Sequence, residues 1–321
     1  MQTRFRDRVV QFDNGVRGEN VDIPSASPRN YHQVISEPQR MQATAIDGKL
    51  FLPAAPATTP VACVIVVPGS LGIADSHLRH AQTLTELGVA AFVLDPFGPR
   101  SVSSTDSNQT LYSFAASAYD VLATLKVLAA DERLDAARIG AQGHSRGGSA
   151  VLMAATRRMV EPVLGARTRL AAVLAAYPWC GHQFQDPRVG DTRVRVLMGD
   201  RDEWCLPQQV QGHVQAIRLA GGHASMRLFD GAAHSFDRGT PITRIEDASV
   251  APGTPTAYIA DDGAFIHPLQ QRPDPTLVDR DLMVYGLKAG YGVKGANIGS
   301  RDGDAAAFDA EMVAFWKAAL S

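Results

Sequence analysis

A serine in a glycine-rich turn is the residue of this sequence whose setting points most clearly to chemical reactivity. Residues 138–151 read RIGAQGHSRGGSAV, which places Ser145 in a G-x-S-x-G pattern. The apolar run before it predicts a strand and the stretch after it predicts a helix, the setting in which such a turn lifts a hydroxyl clear of the backbone. The N–H groups at the start of that helix would then point toward the reacting oxygen. The pattern is short enough to arise by chance, but in this setting it predicts a nucleophile.

A serine hydroxyl is inert near neutral pH, so a nucleophilic Ser145 needs a base and a carboxylate that orients the base. In sites of this kind the acid follows the serine along the chain, and the histidine follows the acid. Asp200 and Asp202 stand just past the predicted strand of VRVLMGDRDEWCLP, and His234 stands past that of ASMRLFDGAAHSFD. Asp200 could instead brace its loop, so the residues alone leave the acid open between the two aspartates.

The remaining histidines and the cysteines give weaker signals. The side chain of His144, inside the turn, is expected to face away from the nucleophile. His77 and His80 are three residues apart on a predicted helix, but they have no nearby carboxylate or thiolate partner, so we expect them on the surface rather than at a metal. Three cysteines without a C-x-x-C pair argue against a zinc site and against a disulfide scaffold. We therefore predict no metal and no organic cofactor.

Composition argues against several classes of partner. The chain has 321 residues, of which 45% are hydrophobic and 20% charged, and its formal net charge is −2. That balance gives no sign of a nucleic-acid or membrane-surface partner, and no apolar run is long enough to cross a membrane. The first residues lack the apolar stretch of a secretion signal. We expect a cytoplasmic protein with a small-molecule substrate. Whether a secretion signal has been removed from the chain stays an open question, and so does the oligomeric state.

Alternating strands and helices must position these residues. Apolar runs predict buried strands at 61–69, 89–96, 138–142, 170–176, 194–199 and 224–230. Apolar residues at helical spacing, with the usual end signals, predict helices at 76–87, 111–130, 146–159, 207–220 and 304–320. Such alternation predicts an α/β domain over residues 41–321, with a mostly parallel central sheet and helices on both faces.

Three stretches depart from this alternation. Residues 1–40 contain several prolines and are expected to form an irregular N-terminal extension. Asp47-Gly48, within an alternating stretch, predicts a hairpin turn. Residues 237–303 are rich in proline and glycine and predict a loop-rich insert in the domain, which at that length is usually functional or poorly ordered.

Three motifs resemble the dienelactone hydrolase family of α/β-hydrolases. They are GHSRGG around Ser145, the acid loop with Gly199, Asp202 and Pro207, and the HSF that begins at His234. The resemblance runs from about residue 40 to residue 240 and includes the final helix. It implies an α/β-hydrolase fold, and it favours Asp202 as the acid.

The resemblance also implies a mechanism and the residues that carry it. Ser145 would accept the acyl group, His234 would act as general base and then as general acid, and Asp202 would hold the imidazole tautomer. The oxyanion hole would be formed by the backbone N–H groups of Ser70 and Arg146. We therefore predict a serine hydrolase that cleaves carboxylic esters through an acyl-enzyme intermediate.

Two departures from the family bear on the substrate. Family members that open lactones use a cysteine nucleophile and a glutamate that controls the thiol, and this chain has Ser145 and Gly69 in those places. A serine needs no such control, so the two changes agree with each other and favour an ordinary ester over a dienelactone. A lactonase for carboxylate-bearing substrates stays as one alternative, and a non-catalytic binding protein of the same fold as another.

Four residues are candidates for substrate binding. Arg100 and Arg238 match arginines of the lactone-binding members, and a guanidinium suits a carboxylate well. Either arginine could instead form a structural ion pair, and this choice stays open. Trp204 adjoins the acid loop and Trp179 follows a strand end, so both are expected to line the pocket.

Overall fold

The computed structural model of the chain describes residues 3–54 and 59–321. Its strands are β1 Glu19–Ser27, β2 Gln42–Phe51, β3 Val61–Val67, β4 Ala90–Asp95, β5 Leu134–His144, β6 Ala172–Ala176, β7 His182–Phe184, β8 Arg193–Gly199, β9 Ala224–Phe229, β10 Thr243–Val250, β11 Ala257–Ile259, β12 Phe265–Ile266, β13 Pro273–Asp274 and β14 Val293–Ile298. Its α-helices are α1 Tyr31–Ile35, α2 Asp75–Glu86, α3 Phe114–Leu128, α4 Arg146–Ala155, α5 Arg157–Leu164, α6 Pro207–Leu219, α7 Asp279–Lys288 and α8 Asp304–Ala319.

An eight-stranded sheet in the order β1-β2-β4-β3-β5-β6-β8-β9 forms the centre of the fold. The six strands from β4 to β9 in that order run parallel, whereas β1 and β2 are antiparallel to their neighbours. Every residue of β4 is buried, which requires cover on both faces of the sheet. Helix α3 packs against α4, and α2 packs against α8. The predicted α/β fold with a mostly parallel sheet is confirmed.

The predicted strands and helices between residues 61 and 230 lie within a few residues of those observed, and so does the final helix. Helix α3 begins later than predicted because Ser113 caps it, its side chain accepting from the backbone N–H of Ala116 at 3.0 Å. The stretch predicted as one helix at 146–159 is two helices, since Thr156 has extended backbone between them.

The prediction for the first 40 residues is wrong, because they are not irregular throughout. Strand β1 pairs with β2 along its whole length, and the short helix α1 follows it. Pro24 lies within β1, at the edge of the sheet, where the N–H that proline lacks is not needed by a further strand.

The predicted hairpin at Asp47-Gly48 is also wrong. Both residues lie inside the continuous strand β2, between β1 and β4. A Cβ atom at Gly48 would lie 2.5 Å from the Val93 carbonyl oxygen and from the Phe92 ring. Glycine is therefore present because the neighbouring strand approaches closely, not because the chain turns.

Residues 237–303, predicted to be loop-rich, contain five strands and helix α7. Strands β10 and β14 form a separate antiparallel pair, and β11, β12 and β13 extend a small sheet from β7. Three of these strands have only two or three residues, too few for a hydrophobic period to show. Among the described residues no helix combines the length and the apolarity needed to cross a membrane.

Candidate active site

The turn between β5 and α4 holds Ser145 in a strained conformation. Its φ is 54° and its ψ is −117°, in a region that residues other than glycine rarely adopt. A Cβ atom at Gly143 would overlap the carbonyl group of Gly147, and one at Gly147 would lie 2.6 Å from the Pro68 oxygen. Both glycines are required because the turn brings three backbone segments together, and the turn presents the Ser145 hydroxyl at the carboxyl end of the sheet.

We expect Gly147→Ala to destabilise the protein by at least about 2 kcal/mol, because the added methyl would push against the end of β3. The matched control is Gly212→Ala on the exposed side of α6, where a Cβ atom meets nothing within 4 Å. That change should stabilise the helix by up to about 1 kcal/mol. Urea unfolding of the three proteins measures both effects, and equal stabilities of the two variants would contradict the role assigned to the turn.

Ser145, His234 and Asp202 form one hydrogen-bonded line. The Ser145 Oγ lies 2.9 Å from His234 Nε2, and His234 Nδ1 lies 2.7 Å from Asp202 Oδ2. The other Asp202 oxygen accepts the backbone N–H groups of Trp204 and Cys205, each at 2.8 Å. These bonds hold the carboxylate as a pure acceptor, so Nδ1 carries the ring proton and Nε2 is free to accept from the serine.

The structure brings Asp202 rather than Asp200 to the histidine. Asp200 Oδ1 accepts the backbone N–H of Gly231 at 2.6 Å and so joins the loops after β8 and β9. Which of the two aspartates contacts the histidine is thus decided by the direction of two side chains in one loop.

The His234 ring is held on both sides. Trp204 stacks on it at 5.3 Å between ring centroids, and Tyr177 meets it edge-on at 4.7 Å. The Trp204 indole N–H donates to the Asn297 carbonyl at 2.9 Å, and the Gly299 N–H donates to the His234 carbonyl at 2.9 Å. Strand β14 and the residue after it, both from the segment predicted to be loop-rich, therefore support the histidine.

Two backbone amides adjoin Ser145, those of Ser70 and Arg146. The loop after β3 lies against the turn, since a Cβ atom at Gly69 would be 3.0 Å from the His144 oxygen and 3.1 Å from Ser145 Cβ. Neither amide donates to another group of the described chain. The Arg146 amide also begins α4, where the helix dipole favours negative charge.

Ser145 lies between two cavities. The larger is lined by both Trp179 and Trp204, by the start of α4 and by many residues between 249 and 285. The smaller is lined by His234, Arg238 and again Trp204. Of the four predicted substrate-binding residues, three therefore line a cavity beside the serine.

Arg100 is the exception, and its prediction as a substrate-binding residue is wrong. Its guanidinium pairs with both oxygens of the buried Asp120, at 2.7 and 3.0 Å, and donates to the Pro96 carbonyl. It lines neither cavity beside Ser145. The alternative of a structural ion pair is what the side chain forms.

The predicted surface positions of His77 and His80 are wrong as well, because their exposed fractions are 3% and 0%. Their rings lie 4.6 and 5.1 Å from that of His144, between α2 and the sheet. Residues three apart share one face of a helix, and here it is the inner face. The position of His144 also agrees with the prediction that its side chain turns away from the nucleophile, because it packs in this cluster.

Gln142 determines which ring nitrogens of His80 and His144 carry a proton. Its Oε1 accepts from the Trp316 indole at 2.8 Å, so its NH₂ group faces His80 Nδ1 at 3.2 Å and His144 Nε2 at 3.4 Å. Both nitrogens act as acceptors, which leaves the His80 proton on Nε2, 3.7 Å from Asp237 Oδ2. The two rings and Asp237 are spaced closely enough for a metal ion, but no free imidazole lone pair remains to bind one.

Asp237 is a buried charge that sequence reasoning missed. Burial by itself would raise the pKa of its carboxyl, but the nearby rings of His144 and His80 and the Tyr177 hydroxyl hold that pKa well below its usual range. The Tyr177 hydroxyl donates to Asp237 at 2.6 Å, and the same tyrosine meets the His234 ring. The carboxylate thus anchors Tyr177, which packs on His234. A single Asp after the HSF motif gave no sequence signal of this buried role.

Asp279, at the start of α7, is a second buried carboxyl and lines the larger cavity. Burial raises its pKa to about 6, although the Phe114 N–H, at 2.7 Å, and the Arg146 cation favour the charged form. Its pKa in the unfolded chain is about 3.9. Because the folded pKa is the higher, its favourable contribution is complete below pH 4 and is lost as the pH rises through 6.

We therefore expect Asp279→Asn to be more stable than the wild type above pH 6, by on the order of 2–3 kcal/mol. The asparagine oxygen can still accept the Phe114 N–H, and the buried charge is gone. Near pH 4 the two proteins should have nearly equal stability. Thermal unfolding at pH 4 and pH 8 tests this, and a Tm difference that is the same at both pH values would contradict it.

Comparisons with known proteins place this arrangement in a family. No curated protein matches the chain in sequence. A protein of Klebsiella pneumoniae subsp. pneumoniae that has been assigned as a dienelactone hydrolase superposes with a TM-score of 0.50, at 18% identity over 68% of this chain and 89% of its own. A dienelactone hydrolase-like promiscuous phosphotriesterase from metagenomic libraries gives a TM-score of 0.52, at 17% identity over 85% of this chain and 96% of its own.

Those identities establish likeness of fold only. The sequence model of the dienelactone hydrolase family, in contrast, matches residues 46–252, more than half of the chain. That range begins within β2 and contains β3 to β9 and the three residues of the hydrogen-bonded line. The chain therefore belongs to the dienelactone hydrolase family.

Proposed function

We propose that the protein is a serine hydrolase that cleaves carboxylic esters through an acyl-enzyme intermediate. The observation that carries the proposal is the continuous line from Asp202 through His234 to the Ser145 hydroxyl, at 2.7 and 2.9 Å. A nucleophile, a base and an orienting acid at hydrogen-bond distances are what acyl transfer to serine requires. Membership of a hydrolase family agrees with that chemistry.

In the first half of the reaction, His234 Nε2 takes the proton of Ser145 as Oγ attacks the ester carbonyl carbon. Negative charge develops on the carbonyl oxygen and is stabilised by the amides of Ser70 and Arg146. Asp202 stabilises the imidazolium by accepting from Nδ1. The bond from carbon to the alcohol oxygen then breaks, His234 gives its proton to that oxygen, and the acyl group stays on Ser145.

Water completes the cycle by the reverse sequence of proton transfers. His234 takes a proton from the water molecule as its oxygen attacks the acyl carbon, and the same two amides stabilise the second oxyanion. When the bond to Ser145 breaks, the proton returns to Oγ and the carboxylic acid leaves. No further group is needed to balance these steps.

The two alternatives fare differently. Arg100 no longer supports a lactonase for carboxylate-bearing substrates, because it forms an ion pair with Asp120. That alternative now depends on Arg238, which lines the smaller cavity. A non-catalytic binding protein has no use for a strained serine backbone beside a correctly oriented imidazole. Strain of this kind is kept where function needs it, and this favours turnover.

Labelling with a fluorophosphonate tests the proposal directly, because such reagents phosphonylate only an activated serine. We expect one adduct per chain, mapped by mass spectrometry to the peptide that contains Ser145. The Ser145→Ala variant and urea-unfolded wild type serve as controls and should stay unlabelled. Absence of labelling in folded wild type, or an adduct on another serine, would refute the proposed nucleophile.

A further inference from the structure

The two cavities can be assigned to the two halves of an ester by the position of the general acid. His234 lines the smaller cavity and is not among the described residues that line the larger, whereas Arg146 lines only the larger. His234 must give a proton to the leaving alcohol, so the alcohol has to lie on the side of the smaller cavity. The acyl group then extends into the larger cavity, past the start of α4.

The walls of the larger cavity are mostly apolar. Phe114 and Trp179 form an aromatic face, with ring centroids 4.6 Å apart. Leu282 and Met283 from α7 and Pro255 from the loop between β10 and β11 also line it. Its lining extends from Ser145 to Leu282 and Tyr285 of α7, so the cavity reaches well beyond the place that an acetyl group on Ser145 would take.

The only arginine or lysine among the described residues that line this cavity, Arg146, is not free to bind an anion. Its Nη1 donates to the Tyr112 carbonyl at 2.8 Å, and its Nη2 donates to the carbonyl of Gln109 and to that residue's side-chain oxygen. The guanidinium also stacks over the Phe114 ring at 3.9 Å. Its charge is therefore used to hold the 109–114 turn in place.

The other charged group of the cavity repels anions. Asp279 is buried, and one of its oxygens has no hydrogen-bond partner among the described residues. Since its pKa lies at about 6, it is a carboxylate in an assay at pH 8, beside the Arg146 cation. A second carboxylate brought into the same apolar cavity would meet a like charge and lose its hydration.

We propose that the larger cavity is an acyl pocket for neutral, apolar acids of medium chain length, and that the segment from 249 to 285 sets this specificity. The inference rests on the proposed ester hydrolysis and names its substrate class. The favoured substrates are esters of hexanoic or octanoic acid with a small alcohol. Acids with a distal carboxylate, the class that the lactonase alternative requires, are disfavoured.

Three p-nitrophenyl esters test the pocket at pH 8: the acetate, the hexanoate and the mono-ester of adipic acid, in which a carboxylate replaces the terminal methyl group of the hexanoate chain. Burial of each methylene favours the longer ester by about fourfold, so we expect kcat/KM to rise on the order of 100-fold from acetate to hexanoate. The adipate mono-ester should fall at least about tenfold below the hexanoate. Equal values for acetate and hexanoate, or a preference for the adipate mono-ester, would overturn the inference.

A matched pair of variants tests the contribution of α7. Met283 lines the cavity and its neighbour Val284 points to solvent, with 38% of its surface exposed. We expect Met283→Trp to narrow the pocket and lower the ratio of hexanoate to acetate activity at least about tenfold. Val284→Trp should leave that ratio unchanged. If the ratio is the same in both variants, α7 does not form a wall of the acyl pocket.

Binding to Ser145→Ala separates this inference from the proposed function, because it needs no turnover. Trp179 and Trp204 line the cavity, and a p-nitrophenyl group quenches tryptophan fluorescence. The hexanoate ester should bind at least about tenfold more tightly than the adipate mono-ester. Equal affinities would refute the pocket assignment even in an enzyme that hydrolyses esters. Conversely, a hexanoate preference in binding, without hydrolysis by wild type, would refute the proposed function alone.

Discussion

Ser145→Ala is expected to lower kcat for p-nitrophenyl hexanoate by about 10⁴- to 10⁶-fold, because it removes the atom that we propose attacks the carbonyl carbon. The rest of the site should stay in place, since His234 is held by Asp202, Trp204 and β14 rather than by the serine. Initial rates of p-nitrophenol release measure the effect, with KM expected to change little.

A serine outside the site serves as the control for this change. The exposed Ser225, on the edge strand β9, bonds to Arg195, and Ser225→Ala should keep the wild-type rate within about twofold. Matching circular dichroism spectra would show that all three proteins are folded. Hydrolysis by Ser145→Ala at the wild-type rate would mean that Ser145 is a turn residue, and the mechanism proposed above would fail.

Asp202→Asn is expected to lower kcat by about 10⁴-fold at neutral pH while leaving the loop folded. The asparagine oxygen can still accept the amides of Trp204 and Cys205, but its NH₂ group would face His234 Nδ1. The ring proton then moves to Nε2, where it meets the Ser145 hydroxyl, and the base can no longer accept. The loss is therefore one of tautomer and charge, not of structure.

The neighbouring aspartate provides a matched control for this experiment. Asp200→Asn keeps the bond from the Gly231 N–H to a side-chain oxygen, so kcat should stay within about threefold of wild type. Steady-state kinetics and thermal unfolding of both variants test the assignment. A loss of activity in Asp200→Asn as large as that in Asp202→Asn would show that the loop, rather than the contact to His234, accounts for the effect.

Local sequence patterns predicted many of the strands and most of the residues around Ser145. Continuous apolar runs predicted β3, β4, β5, β6 and β8, because strands buried on both faces leave a mark in adjacent residues. The partly exposed edge strand β9 followed from the alternation of strands and helices. The glycines around Ser145 marked the turn because close backbone approach excludes a side chain there. The chain order of serine, aspartate and histidine narrowed the acid to two residues and the base to one.

Patterns failed where a neighbour distant in sequence decides the structure. The glycine of Asp47-Gly48 was interpreted as a turn, although it makes room for Val93 of the adjacent strand. His77 and His80 were assigned to the surface, but they are buried. Their spacing on the helix shows that they share a face, and it does not say which face the sheet will cover. Arg100 was assigned to the substrate, although its carboxylate partner, Asp120, lies twenty residues on in α3.

The sequence by itself therefore determined the fold class, the glycine-bounded turn around Ser145 and the set of residues from which a hydrolytic site could be built. Only the tertiary structure chose Asp202 over Asp200, buried Asp237 beneath the histidine and brought residues 249–285 over the serine as a cavity wall. The physical reason is that strand burial and turn chemistry act between residues close in the chain. The direction of a side chain and the lining of a cavity depend on contacts between segments that meet only when the chain is folded.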